Sequence, residues 1–180
     1  MIHLPITPVM PVARGALPTT NYSLVNYPLI MPLLIPVRGH IPSYGENCFI
    51  AENATLIGEL KIGNDCSVWF TAVIRADATA ITIGDRVNIQ DGACIHCTYE
   101  RAATTIGNDV SIGHRAIVHG CTIHDSVLIG MGSIVMDDAV VESNVIIGAG
   151  AVVPVWMQLD AVRNANILAN VHKGTQINVN

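Results

Sequence analysis

C-T-I-H-D-S-V-L-I-G-M-G-S-I-V-M-D-D-A-V-V-E-S-N-V-I-I-G-A-G-A-V-V, residues 121–153, carries a branched aliphatic at every sixth position: Ile123, Ile129, Val135, Val141, Ile147 and Val153. A six-residue period matches neither the 3.6-residue helix nor a long alternating strand, and β-branched side chains favour extended backbone. A small or polar residue often follows the aliphatic and turn-forming Asn, Asp or Gly comes next, as in I-G-N-D-V-S at 106–111. Each hexad therefore reads as a short strand plus a corner. Three hexads close one triangular coil, and stacked coils pair as parallel strands about 4.8 Å apart, each covering its neighbour's aliphatic column. The expected fold is all-β, a parallel β-helix shaped as a three-sided prism.

The same register extends upstream through Ile50, Leu56, Ile62, Val68 and Ile74, then Ile83, Ile89 and Ile95, then Ile106, Ile112 and Val118. Three irregularities interrupt it. The step from Ile74 to Ile83 is three residues too long, that from Ile95 to Ile106 five too long, and that from Val118 to Ile123 one short. The surplus residues are expected to leave the coil as loops, which in repeat scaffolds often mark the functional face. Counting faces puts the strands at Ile74, Ile95 and Val118 in one stack, so Arg75, His96 and His119 should form one column. Asp91 and His114 should form a second column on the preceding face.

Two imidazoles one strand spacing apart can chelate one ion at Zn–N distances of about 2.0–2.1 Å. His114 lies on another face, so as a third ligand it would come from a neighbouring subunit, and three-fold packing of a three-sided prism supplies that geometry. The expectation is a homotrimer with a metal site at each interface. His3, His40, His124 and His172 fall outside these columns and read as ordinary polar residues.

Of the 180 residues, 51% are hydrophobic and only 13% charged, with a net charge of −5. That suits one domain with a substantial core. With no cluster of Lys or Arg, the surface is unsuited to nucleic acid or anionic membrane. Met1 to Val37 is nearly uncharged but broken by Pro5, Pro8, Pro11, Pro18, Pro28, Pro32 and Pro36, which excludes a spanning helix there. No basic start followed by a compact apolar run and cleavage site is found, so the expected location is cytoplasmic. The five cysteines form no disulfide framework, and the C-x-x-C at Cys94 and Cys97 lacks a second pair for structural zinc.

From Val37 to Val153, roughly two-thirds of the chain, the sequence resembles the γ-class carbonic anhydrases and their close bacterial homologues. The resemblance rests on R-A-D at Arg75–Asp77, N-I-Q-D-G at Asn88–Gly92, His96, and S-I-G-H-R-A-I-V-H-G at Ser111–Gly120. It implies left-handed winding, with His96 and His119 binding a metal in one subunit and His114 arriving from the next. Zinc is the ion implied, and iron or cobalt also suits three imidazoles plus water. The implied chemistry is hydroxide attack on carbon dioxide to give bicarbonate. By the same similarity Gln90 would orient the hydroxide, Arg75 and Asp77 would form ion pairs between subunits, and Asp91 would belong to that network.

The chain also departs from the family. Ala78 and Tyr99 stand where the best-known member has proton-exporting glutamates, leaving Glu100 as a substitute. After Val153 the chain reads P-V-W-M-Q-L-D-A-V-R, without the family's G-V-P-A-type segment and long helix. Homologues start near Met31. The expected organisation is a flexible Pro-rich extension at 1–30, the β-helix domain at 31–153, and a divergent, irregular or helical tail at 154–180. Two other functions fit the scaffold: a hexapeptide-repeat acyltransferase using coenzyme A and a histidine base, and a metal-binding or structural trimer without efficient turnover.

Overall fold

The computed structural model describes residues 31–155 and 157–159. Residues 1–30 and 160–180, with the expected extension and most of the expected tail, lie outside the described residues. Three stacks of short parallel strands make the prism. The first face is Phe49–Ile50, Ser67–Val68, Asn88–Ile89, Ser111–Ile112, Leu128–Ile129 and Ile146–Ile147. The second begins with Leu33–Ile35 and the opening residues of Thr55–Ile62 and Val73–Ile83. It continues through Cys94–His96, Ile117–His119, Ile134–Val135 and Val152–Val153. The third takes Ser43–Tyr44 and the closing residues of those two long strands, then Thr104–Ile106, Thr122–Ile123, Val140–Val141 and Gln158–Leu159. This is the left-handed three-sided β-helix implied by the hexads and the resemblance.

Every repeat aliphatic from Leu56 to Val153 is buried, and Ile50 at the end of its column is partly so. Down the first face Ile50, Val68, Ile89, Ile112, Ile129 and Ile147 pair in turn, at separations of 18, 21, 23, 17 and 18 residues. The middle values are an 18-residue coil plus three, plus five and minus one, so the irregular steps shift no strand out of register. The array also runs one strand beyond the expected boundary at 153. Leu159, six residues after Val153, is buried, and Gln158–Leu159 pairs with Val140–Val141.

One corner repeats along the whole stack. Asn47, Asp65, Arg86, Asp109, Ser126 and Asn144 all have positive φ, between 55° and 63°. Side-chain oxygens just before them link successive coils: Asn64 N–H donates to Asp85 Oδ1, Asp85 N–H to Asn108 Oδ1, and Asn108 N–H to Asp125 Oδ1. Short polar side chains tolerate the left-handed conformation and satisfy the corner amides, which explains the recurring N-D and D-x pairs.

The first surplus is absorbed differently from the loop expected. Val73–Ile83 is one strand, and opposite it Gly58 pairs with Ala76 and Leu60 with Ile81, so Asp77, Ala78, Thr79 and Ala80 together face Glu59. The three extra residues form a wide bulge that keeps its extended backbone. The second surplus does leave the coil, as an insert at 97–103 closed by a bridge between Thr98 and Ala102.

Cys66, Cys97 and Cys121 are buried, and burial pushes the Cys66 thiol up to about 11 and that of Cys121 to about 12. Thiolate is the reactive form. Native protein at pH 8 should therefore release thionitrobenzoate from Ellman's reagent at no more than two sites, Cys48 and Cys94, rising to five in guanidinium. Fast labelling of a third thiol in native protein would contradict this core.

Candidate metal centre

The structure gathers the expected residues into two groups. On the second face His96 and His119 are direct cross-strand partners. Their rings lie 5.0 Å apart between centroids at 63°, and His96 Nδ1 stands 3.0 Å from His119 Nε2. Arg75 and Asp77 belong to the same group, paired at 2.7 Å within one chain. On the corner following the first face are Gln90, Asp91 and His114. Gln90 Oε1 accepts the His114 backbone N–H at 3.2 Å, and Asp91 Oδ2 lies 3.0 Å from His114 Nδ1.

The ring nitrogens that do not face each other are both engaged. His96 Nε2 meets Asp77 Oδ1 at 3.1 Å and His119 Nδ1 meets Asp137 Oδ1 at 2.6 Å. An ionised carboxylate only accepts, so each of these nitrogens carries its proton. Arg75, which can only donate, approaches His96 Nδ1 at 3.4 Å, in keeping with a lone pair there. Two bare lone pairs thus point at one another across 3.0 Å. Two nitrogens on one tetrahedral ion at about 2.0–2.1 Å would stand about 3.3–3.4 Å apart, so the donor pair fits a metal.

Charge supports the same state. Burial, the largest influence, pushes the His96 imidazole below its usual range, and Arg75 and His119 add to that against the pull of Asp77. For Asp77, partial burial opposes ionisation most strongly, but the hydrogen bonds from Arg75 and His96 together outweigh it and hold the carboxyl low. Asp137 behaves alike: burial is outweighed by His119 and Thr98. A neutral imidazole against an ionised carboxylate is the arrangement that orients metal-binding histidines and raises their basicity.

Among the described residues no three His, Cys, Asp or Glu side chains of one chain converge to hold an ion. His114 has a carboxylate beside one ring nitrogen, as the other two histidines do, but on a different part of the prism. Asp137 and Thr98, whose Oγ1 donates to Asp137 Oδ2 at 2.9 Å, were not singled out by the sequence. The signal for Asp137 was available: it lies 18 residues, one regular coil, after His119.

Residues 120–154 match the family model described as bacterial transferase hexapeptide (six repeats). A solved structure described as a putative acetyltransferase, from Bacillus cereus, superposes with a TM-score of 0.68 at 30% identity, covering 79% of this chain and 92% of that one. The chain belongs to the hexapeptide-repeat family. Within the family this hexapeptide-repeat protein is γ-carbonic anhydrase-like. It is 37% identical over 125 residues to gamma carbonic anhydrase 1, mitochondrial, of Arabidopsis thaliana, covering 67% of this chain and 46% of the relative. It is 41% identical over 111 residues to protein YrdA of Escherichia coli, covering 58% and 60%. The chain thus spans about half the length of the curated relatives it matches.

Proposed function

We propose that this protein is a γ-carbonic anhydrase-like metalloenzyme that interconverts carbon dioxide and bicarbonate at the interfaces of a homotrimer. The observation that carries the reading is the pair of bare imidazole nitrogens, His96 Nδ1 and His119 Nε2, aimed at one point and each backed by a carboxylate. His114 of the partner subunit would complete three imidazoles, a set that suits zinc and also iron or cobalt. When bound, such an ion supplies Lewis-acid activation of water, lowering its pKa toward about 7 so that hydroxide is available at neutral pH.

The chain's own residues then divide the work. Asp77 and Asp137 hold the ring protons away from the facing nitrogens, and Arg75 fixes Asp77. Gln90, tied to the His114 backbone, would arrive with that histidine and present its amide to the reacting oxygen. Asp91 keeps the His114 ring oriented.

The outward side chains favour the second face as the buried one. Its register column runs Val73, Cys94, Ile117, Ile134 and Val152, whereas the third face shows Lys61, Thr82, Thr105, Thr122 and Gln158 at the equivalent places. Apolar columns of this kind are what subunit contacts cover. Five free cysteines suit a reducing compartment, and we place the protein in the cytoplasm. No helix among the described residues is long and apolar enough to cross a membrane.

The first test is bound metal per chain and particle mass for the native protein and His114→Ala, purified anaerobically without chelator. About one zinc or iron per chain in a trimer, with the trimer kept and most metal lost in His114→Ala, is the expected result. A metal-free native trimer would overturn the reading. Acyl transfer is the second reading, favoured by the likeness to the Bacillus cereus protein described as an acetyltransferase. Retention on coenzyme A agarose by the metal-free protein, with no hydration of carbon dioxide at any buffer concentration, would establish it instead.

A further inference from the structure

Among the described residues, the insert at 97–103 is where the chain leaves the prism beside the histidine pair, and both of its ends are fastened to the two histidine strands. At the far end Thr104, a buried polar residue, donates through Oγ1 to the His96 carbonyl and accepts the Gly120 N–H at 2.9 Å. That one hydroxyl ties the backbone after Ile95 to the backbone after His119. At the near end Thr98 Oγ1 crosses the His119 coil to reach Asp137 Oδ2, 39 residues away in sequence. Arg101 reaches Asp138 at 3.0 Å and Arg38 lies 5.1 Å over the Tyr99 ring.

A carboxylate has two oxygens and a free torsion. His119 takes one oxygen of Asp137, and Thr98 takes the other. With both engaged the carboxylate plane is fixed, and so is the ring it faces; with Thr98 absent, Asp137 can turn while keeping a single bond to Nδ1. The five surplus residues thus have a job that proton export does not require: they carry Thr98 to Asp137.

We propose that the insert is a strut for the metal site and that Thr98 is a positioning residue, acting through Asp137 to hold His119 Nε2 in its binding orientation. The inference rests on His96 and His119 being metal ligands. It assigns to Thr98, and to the irregular repeat that carries it, a role in ion affinity.

Thr98→Val keeps the shape and removes the hydroxyl; Thr98→Ser returns it. Full-chain protein stripped with chelator would be titrated with cobalt(II), reading the visible d–d absorption. Thr98→Val should bind about tenfold more weakly, the lower end of what outer-sphere partners contribute, while Thr98→Ser stays within about twofold of wild type and all three keep the same melting temperature within about two degrees. The Nδ1–H proton resonance of His119 in the cobalt-free protein should move or broaden in Thr98→Val and return in Thr98→Ser. Equal cobalt affinity in wild type and Thr98→Val overturns the strut while leaving the metal site standing. Equal weakening in both variants assigns the effect to packing and also overturns it. No cobalt binding by wild type overturns both this inference and the metal-site reading.

Discussion

His119→Ala should lose bound metal and reduce carbon dioxide hydration to the rate of buffer alone, while the metal-free protein unfolds within about 1 kcal/mol of wild type. The two halves of that result come from opposite sides of one strand. Val118 points inward and is buried, whereas the His119 side chain points out and packs against His96 and Asp137, leaving the aliphatic column intact. Deleting it removes no core volume, and in the metal-free state it also relieves two lone pairs held 3.0 Å apart. Surface substitutions that leave the core alone typically shift stability by about 0.5 kcal/mol or less; Asp137 retains its bond from Thr98. Metal analysis, stopped-flow hydration and denaturant unfolding of chelated protein check the three parts. Persistent stoichiometric metal in His119→Ala would remove the site from this face.

Most of the scaffold is legible because a six-residue period leaves little freedom. Once Ile95 and Val118 are assigned to one face, the pairing of His96 with His119 follows from arithmetic, and the structure places them as cross-strand partners. The count extends even to Leu159, where the aliphatic is preceded by an unpatterned stretch. What the count cannot distinguish is how a surplus is absorbed. Three extra residues after Ile74 stay extended because the partner strand contributes a glycine with positive φ at the facing position, a property of Gly58 that no spacing reveals. The histidine network was half legible. Asp77 and Asp91 sit in recognisable motifs, but Asp137 acts from a repeat with no motif of its own, and Thr98 meets it only through the excursion that spacing shows as an irregularity.

Gly58→Ala is expected to cost about 3 kcal/mol or more, the largest stability loss of any single methyl added to this chain. Gly58 has φ of +78°, and a Cβ there would lie 2.6 Å from the Ala76 carbonyl carbon and against its oxygen. Two costs add. A side chain in the left-handed region is worth about 1–2 kcal/mol, and forcing an atom into packed backbone about 1–3 kcal/mol more. Gly39 separates them, because its φ is +84° yet a Cβ there meets nothing within 4 Å. Gly39→Ala should therefore show only the conformational part, about 1–2 kcal/mol, and denaturant midpoints of the two variants measure the steric part by difference. The clash also has a direction. The atoms that must move are the Ala76 carbonyl and the Asp77 amide, at the start of the bulge that delivers Asp77 to His96. Whatever fraction of Gly58→Ala folds should consequently bind cobalt(II) more weakly, by about tenfold, whereas Gly39→Ala binds as wild type does. Equal unfolding midpoints for the two variants would show that the bulge yields freely, and Asp77 would then not be held by it.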